Sequence, residues 1–337
     1  MVRAFEARGY DVQIFYLHSL TLHGLKYVRR VIALYQELAQ ARYVFLEDAS
    51  NVVSAVSLRP ETVVAQLWHG CGAFKKFGFS TSELLFGGSR KEKTKYPYYK
   101  NLDLVTISAP EVAWAYAEAM GLEDTPEIIV PTGISRTDVF FEEDFLYAAR
   151  KTVENVVPQA KEKKIILYAP TFRGMVDNAK APDRLDIIAM QKAIGEECIL
   201  LCKHHPYVKV RPEIPEEARA FAFDVSETLD IDSLLCVADV CISDYSSLVF
   251  EYALFGRPMV FFAYDLDEYC DWRGFYYDYD QLTPGPVVQT NEALIAYIKS
   301  VLEVFDDRQI QAFRTRFMGA CDGHATERIL ELVLSKG

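Results

Sequence analysis

The fold of this chain is decided by LLCVADVCISDYSS, residues 234–247. An apolar run ending at Ile242 predicts a buried strand, and the run that restarts at Leu248 predicts a helix. The turn between them, Ser243–Ser247, combines hydroxyl groups with the N–H groups of a helix start, a combination that favours phosphate binding. In an open parallel sheet such turns lie at the carboxyl edge of the strands, where ligands bind.

Strand and helix patterns alternate along the whole chain, which indicates βαβ units and parallel sheets. The 337 residues suffice for two domains of ordinary size. The predicted strands are residues 12–17, 42–46, 63–67, 104–108, 128–130, 165–169, 198–202, 220–223, 237–242 and 259–262. We expect Rossmann-like domains at residues 1–140 and 141–337, with a strand before residue 12 missing and the amphipathic tail Ala325–Ser335 packing back on the first domain.

Helical patterns cover Tyr27–Ala39, Glu111–Met120 and the charged connection Phe141–Lys164. The second of these follows Pro110 and stops at Gly121, which is typical of a capped helix.

Composition excludes several functional classes. The net charge of −12 argues against a nucleic-acid partner. No apolar run approaches the roughly 20 residues that cross a bilayer. The seven cysteines lie mostly in apolar runs, as small hydrophobic residues do. A zinc site at Cys198, Cys202, His204 and His205 is not expected, because no second cluster has ligand spacing. We therefore predict neither a metal nor a cofactor.

One basic stretch interrupts this acidic chain. Residues 90–100 hold five basic side chains and one acid, interleaved with tyrosines, and Lys75 and Lys76 lie nearby. Lysines in such a patch suit phosphate head groups or a polyanionic acceptor. The alternative is a solvated loop. The candidates for the acceptor or membrane side are Lys75, Lys76, Lys91, Lys93 and Lys95.

A histidine follows the predicted strand 63–67, in Trp68-His69-Gly70. With an ordinary pKa of roughly 6.5, a histidine can take a proton from an alcohol near neutral pH. His69 is therefore a candidate general base. The alternative is a histidine that is hydrogen-bonded into the wall of the site.

Other polar groups follow strands in the second half. Lys203 and His205 come after strand 198–202 and suit the charge of a leaving phosphate. Thr171 and Arg173 come after strand 165–169, where the threonine could donate to phosphate and the arginine clamp it; a tight turn with a surface arginine is the alternative. Glu251 suits ribose hydroxyls or is an ordinary exposed helix residue.

The order of these motifs resembles the CDP-glycerol glycerophosphotransferase family, the teichoic acid primases and polymerases of bacterial envelopes. The resemblance spans roughly residues 60 to 330. It rests on Trp68-His69-Gly70, Lys75–Gly78, Ala169–Arg173, Lys203–Pro206, Ser243–Ser247 with Phe250–Ala253, and Asp322–Arg328. The chain departs from the family at Cys71-Gly72-Ala73 and at Ile134-Ser135.

The resemblance implies a GT-B-like α/β fold, with two parallel sheets facing across a cleft. It implies transfer of glycerol or ribitol phosphate from a CDP-alditol to a hydroxyl of a lipid-linked (undecaprenyl diphosphate) acceptor, with release of CMP, at the cytoplasmic face of the membrane. His69 and His205 would be catalytic. The implied donor site comprises Thr171, Arg173, Lys203, Ser243, Asp244, Ser246, Ser247 and Glu251. A nucleotide-sugar glycosyltransferase or epimerase, or a non-catalytic homologue, are the alternatives.

Overall fold

The computed structural model describes residues 1–17, 24–82, 84 and 87–337. These form two compact units. The first unit comprises Met1–Gly70, Phe77–Asp138 and Ala320–Gly337, and the second comprises Cys71–Lys76 and Val139–Gly319.

The first unit is built on a four-stranded parallel sheet. Its strands lie in sequence order: β1 (Tyr43–Leu46), β2 (Val63–Gln66), β3 (Leu104–Thr106) and β4 (Ile129–Val130). The helices are Val2–Glu6, Gly24–Leu38, Asn51–Ser54, Arg90–Lys95, Ala113–Met120 and Ala325–Lys336, with 3₁₀ helices at Gly78–Thr81, Pro110–Val112 and Pro126–Ile128. The last helix is part of the core, since Ile329, Leu330 and Val333 are buried with Val63, Ala65, Leu67 and Leu104.

The second unit is built on a six-stranded parallel sheet. Its strands are β5 (Lys164–Tyr168), β6 (Cys198–Cys202), β7 (Ala222–Asp224), β8 (Val240–Ser243), β9 (Met259–Phe262) and β10 (Val287–Val288). The spatial order is β10-β9-β8-β5-β6-β7, so the direction of winding reverses between β5 and β8. Ligands of open α/β sheets bind beyond the carboxyl ends of strands at this topological switch point.

Helices cover the second sheet. They are Glu143–Val156, Ile187–Ile194, Ile231–Val237, Leu248–Ala253, Leu266–Arg273, Asn291–Glu303 and Arg308–Met318, with 3₁₀ helices at Pro158–Lys161, Val176–Asn178, Glu216–Ala218 and Tyr279–Leu282. A 3₁₀ helix, Ser135–Phe141, carries the chain from the first unit into the second. Buried side chains of the strands pack with Met190, Leu294 and Ile298 from two of the helices.

One predicted strand is wrong. Residues 12–17 have no regular secondary structure, and Ile14 and Tyr16 are 50% and 73% exposed. Their alternating pattern finds no described strand to pair with, because the sheet of the first unit begins at β1. The other predicted strands each overlap an observed one, whereas β10 was not predicted.

The stretch of residues 234–247 contains parts of two elements before its turn. Ile231–Val237 is a helix capped by Asp230, whose side chain accepts from the Ser233 amide, and β8 starts only at Val240. The apolar run predicts a strand from residue 237, and the observed strand starts three residues later. The predicted helix stop at Gly121 is confirmed, since this glycine has a φ of +69° in the left-handed region.

Candidate functional site

The switch point of the second sheet holds two loops close together. The loop after β5 and the loop after β8 are joined by the Thr171 amide, which donates to Oδ1 of Asp244 at 2.7 Å. The Ser243 hydroxyl donates to the Ala169 carbonyl at 3.1 Å. Ser243 and Asp244 are each 2% exposed. Both join the two loops. Their predicted contact with the donor stays a prediction.

Arg173 forms hydrogen bonds to three residues that follow strands of the second sheet. Its Nε and one Nη donate to the two carboxylate oxygens of Asp265, at 2.6 and 2.9 Å. Its other Nη donates to Asp244 at 2.9 Å and to the Thr171 carbonyl at 2.6 Å. Four of the five N–H donors of the guanidinium are therefore used within the loops. In the structure Arg173 binds Asp244, Asp265 and the Thr171 carbonyl. Its predicted contact with a donor phosphate stays a prediction.

The positive charge of Arg173 and the negative charges of Asp244 and Asp265 stabilise one another. Burial by itself lowers the pKa of Arg173, but the carboxylates of Asp244 and Asp265 outweigh it and raise that pKa above its usual value. Burial likewise favours a higher pKa for Asp265, and the guanidinium overcomes it and lowers the pKa. The Tyr245 hydroxyl donates to Asp265 at 2.8 Å. The charged side chains of these loops thus form an ionic network in which each charge has a hydrogen-bonded partner of opposite sign.

Thr171 keeps a polar atom available at the switch point. The residue is 7% exposed, and its Oγ1 makes no hydrogen bond to any residue within the described part of the chain. Buried hydroxyl groups in folded proteins nearly always have a partner. This oxygen therefore marks a place for a ligand atom or a water molecule.

The three polar residues after β6 have different surroundings. Lys203 Nζ donates to the carbonyls of Ser226 and Leu229, at 2.7 and 2.5 Å, and burial lowers its pKa. The lysine thus joins the loop after β6 to the loop after β7. Its predicted contact with a leaving phosphate stays a prediction. His204 is 5% exposed, and burial lowers its pKa.

His205 is exposed and has a defined tautomer. Its ring packs against Phe172 and Tyr207, with ring centroids 5.0 and 4.6 Å apart. The Tyr207 amide donates to Nδ1 at 3.2 Å. Because an amide can only donate, Nδ1 accepts, and a neutral ring carries its proton on Nε2. His205 is suited to donate a hydrogen bond to an anion.

The serines after β8 lie at the surface. Ser247 is exposed at the start of helix Leu248–Ala253, and the half-buried Ser246 accepts from the Leu248 amide at 3.4 Å. Glu251 is 3% exposed, so the alternative of an ordinary exposed helix residue is wrong.

In the first unit, His69 lies at the carboxyl edge of the sheet, after β2. Its Nδ1 is 3.2 Å from the Glu47 carbonyl, which follows β1. Since a carbonyl can only accept, Nδ1 carries the proton and Nε2 has a lone pair. The Asp48 carboxylate is 3.9 Å from Nδ1. The ring is 59% exposed, and its Nε2 has no hydrogen-bond partner among the described residues.

Four polar groups around His69 were not predicted from the sequence. They are the Glu47 carbonyl, the Asp48 carboxylate, the buried Gln66 amide, and Arg136, whose Nη1 donates to the His69 carbonyl at 3.4 Å. Asp48 and Arg136 follow β1 and β4 respectively. A polar residue after each parallel strand is the signal that could have identified them.

The predicted lysines are divided between the two units. Lys91 and Lys95 are exposed on helix Arg90–Lys95. Lys93 Nζ instead donates to the Gly78 carbonyl and the Thr81 hydroxyl, at 2.7 and 2.6 Å. Lys75 and Lys76 belong to the second unit, where Lys75 lies over the Tyr269 ring at 5.4 Å.

The motif Asp322–Arg328 holds the last helix in place. Arg328 bonds to the Asp322 carboxylate at 2.7 and 3.0 Å and to the Thr132 carbonyl at 2.8 Å. Asp138 accepts from the amides of Ala325 and Thr326 at the helix start. These contacts give the motif a structural role.

No group of three or more His, Cys, Asp or Glu side chains that could hold a metal ion occurs among the described residues. In the same part of the chain, every helix is too short or too polar to span a bilayer.

A family model described as CDP-glycerol:poly(glycerophosphate) glycerophosphotransferase matches residues 6–335. A teichoic acid poly(ribitol-phosphate) polymerase of Bacillus spizizenii is 35% identical over 95% of this chain and 51% of its own length. A teichoic acid ribitol-phosphate primase of the same species is 35% identical over 88% of this chain and 76% of its own length. A glycerol-phosphate primase of Bacillus subtilis is 29% identical over 87% and 73%. The chain thus spans about half of the polymerase and three quarters of each primase.

A solved structure of the wall teichoic acid polymerase TagF shares the fold. It matches with a TM-score of 0.77 at 24% identity, over 91% of this chain and 76% of that chain. The match confirms the GT-B-like α/β class predicted from the sequence.

Proposed function

Because this chain belongs to the CDP-glycerol:poly(glycerophosphate) glycerophosphotransferase family, we propose that it transfers an alditol phosphate from a CDP-alditol to a hydroxyl of a lipid-linked acceptor. The reaction belongs to the synthesis of teichoic acid or a related envelope polymer. The observation that carries the proposal is the state of His69. Its Nδ1 proton is directed to the Glu47 carbonyl, so Nε2 is left to accept a proton.

The proposed reaction is a single in-line displacement. His69 Nε2 takes the proton of the acceptor hydroxyl as its oxygen attacks the β-phosphorus of the CDP-alditol. The bond from that phosphorus to the oxygen bridging to the α-phosphate breaks, and CMP leaves with the bridging oxygen. A phosphodiester now joins the alditol to the acceptor. Such chemistry depends on positioning and on neutralising charge.

On the donor side, four exposed or unsatisfied groups support pyrophosphate binding. His205 offers a proton on Nε2, Thr171 has a buried hydroxyl without a described partner, and Ser246 and Ser247 offer hydroxyls beside the switch point. Arg173, Asp244 and Lys203 hold the loops that carry these groups. Glu251 is buried in the helix that follows Ser247. We propose that it lies on the ribose side of the donor.

Ribitol phosphate is the proposed transferred group. The ribitol-phosphate polymerase and primase are each 35% identical to this chain, against 29% for the glycerol-phosphate primase.

The proposed place of action is the cytoplasmic surface of the cell membrane. Support comes from helix Gly24–Leu38, where Leu25, Val28 and Ile32 are 74%, 50% and 52% exposed on one side. The polar side of its first turns carries Lys26, Arg29 and Arg30 and no acid. A basic amphipathic helix with exposed apolar residues suits an anionic lipid surface.

The test is CMP release from CDP-ribitol and CDP-glycerol, with and without a lipid-linked acceptor that carries glycerol phosphate. We expect acceptor-dependent release that is faster with CDP-ribitol. Faster release with CDP-glycerol would overturn the choice of ribitol alone. No release with either donor, from a protein shown to be folded by circular dichroism, would overturn the proposed function.

A further inference from the structure

We propose that Gln66 and Asp48 are positioning residues that keep His69 in the tautomer and orientation of a general base. The inference rests on the proposed function for the role of His69 and goes beyond it by naming the residues that prepare the ring. All of its contacts lie within the first unit.

Gln66 is an amide at an apolar position. It ends β2, whose residues are all buried, and is 0% exposed between Leu46 of β1 and Val105 of β3. Its Nε2 donates to the Asp48 carbonyl at 3.1 Å, and its Oε1 accepts from the Trp68 amide at 3.2 Å. One side chain therefore ties the segment after β1 to the segment after β2. A buried amide has to be bonded in this way, because an unbonded one is costly.

The segment after β2 has an unusual backbone conformation at Trp68. Trp68 has a φ of +59°, in the left-handed region that bulky residues rarely adopt. The Gln66 side chain binds the amide of this residue, and the indole packs on Phe77 with ring centroids 4.7 Å apart. Strain of this kind persists where the surroundings fix it, and it is common at functional sites.

His69 is the residue after Trp68, and Asp48, whose carbonyl accepts from Gln66, lies beside the His69 ring. Nδ1 faces the Glu47 carbonyl at 3.2 Å and the Asp48 carboxylate at 3.9 Å. The Ala49 amide donates to Oδ1 of Asp48 at 2.7 Å and holds that carboxylate in place. When Nε2 takes a proton, the positive charge of the ring is then stabilised by the negative charge of the neighbouring Asp48 carboxylate. In catalytic triads, too, the base is oriented by a third group, here the Asp48 carboxylate.

The kinetic test compares Asp48→Asn with Asp48→Glu, using CMP release from CDP-ribitol with acceptor. We expect Asp48→Asn to lower kcat roughly tenfold, a fraction of the total contribution of general base catalysis, with the KM for CDP-ribitol unchanged. Asp48→Glu should recover most of the loss. Asp124→Asn, which removes the same charge from an exposed loop of the first unit, is the matched control and should leave kcat unchanged. Asp48 is 77% exposed, so neither variant threatens folding.

The spectroscopic test uses the ¹⁵N chemical shifts of labelled histidine, with the His69 signal assigned by its loss in His69→Asn. We expect the wild type to carry its proton on Nδ1, and Gln66→Leu to shift the population toward the Nε2–H form. An unchanged tautomer in folded Gln66→Leu, or an unchanged kcat in Asp48→Asn, would overturn the corresponding half of the inference. The tautomer is read without turnover. An Nδ1–H ring that depends on Gln66 in a protein without CMP release would therefore contradict the proposed function alone.

Discussion

His69 and His205 are exposed histidines that follow parallel strands, and one backbone contact each gives them opposite tautomers. The Glu47 carbonyl binds the Nδ1 proton of His69 and leaves Nε2 as an acceptor. The Tyr207 amide donates to Nδ1 of His205 and leaves Nε2 as a donor. Two residues of one type thereby present different atoms to the solvent, an acceptor nitrogen in His69 and a donor N–H in His205.

Removal of the His69 ring should stop transfer without removing the donor. We expect His69→Ala to lower kcat by about 10²–10⁴-fold, the usual contribution of a general base, while CDP-ribitol affinity by calorimetry stays within a few-fold. His324→Ala removes an exposed histidine of the same unit and serves as the control. Retention of most turnover in His69→Ala would exclude this ring from the mechanism.

Loss of one hydroxyl at the switch point should instead affect binding. Ser247→Ala removes an exposed donor beside β8, and we expect the Kd for CDP-ribitol to rise about 3- to 10-fold, as for a hydrogen bond of roughly 1 kcal/mol. Ser300→Ala removes an exposed hydroxyl from a distant helix as the control. Equal affinities of the two variants would place Ser247 outside the donor site.

At the scale of elements, the loops after β5, β8 and β9 are joined by Arg173, Asp244 and Asp265. The guanidinium lowers the pKa of Asp265 against the effect of burial. A carboxyl group with a lowered folded pKa stabilises the fold above its unfolded pKa of roughly 3.9, and this stability is lost as the pH falls through the folded pKa.

We therefore expect the melting temperature to fall in acid below about pH 4, in part through protonation of Asp265. Asp265→Asn should lower the melting temperature at pH 7 and should have a shallower dependence between pH 7 and pH 3. Asp267→Asn, two residues further on, is the control for loss of charge. Parallel pH curves for wild type and Asp265→Asn would contradict the assigned ion pair.

The exposed side of helix Gly24–Leu38 gives a second prediction at this scale. Leu25→Ser with Ile32→Ser should reduce co-flotation with vesicles that contain about 30% anionic lipid, because each buried apolar side chain contributes roughly 1.5–3 kcal/mol. Val304→Ser, at an 81% exposed position of the second unit, is the control. Flotation at the wild-type level in the double variant would mean that another surface binds lipid.

In the molecule as a whole, the two ends of the chain lie in one unit. Phe5 near the start and Ile329, Leu330 and Val333 near the end are buried in the core of the first sheet. The chain between Val139 and Gly319 builds nearly all of the second unit. A change in the last helix should therefore weaken the first unit although it lies beyond the second in sequence.

Ile329→Ala removes a fully buried side chain from that helix. We expect the free energy of unfolding of the first unit to fall by about 2–4 kcal/mol. Hydrogen exchange should become faster in β2 and β3 and stay unchanged in β5 and β8. Glu331→Ala, exposed on the same helix, is the control. Faster exchange in β5 would contradict this division of the core.

The sequence predicted local features best. Apolar runs at β6 and β9 and the stop at Gly121 depend on neighbouring residues, and each was located closely. The pattern at residues 12–17 misled because alternation shows that a strand is possible but not that a partner exists. β10 has only two residues, too few for a periodic signal.

By itself, then, the sequence determined the alternation of strands and helices, the family resemblance, and the positions of His69, Thr171 and His205 after strands, because apolar periodicity and turn residues act over a few positions. Only the tertiary structure decided which polar groups remain available. Arg173 is occupied by Asp265, 92 residues away, and the His69 tautomer is set by Glu47, 22 residues away. Such partners are brought together by the order of strands in a sheet. A hydrogen bond between distant residues leaves no local pattern in the sequence.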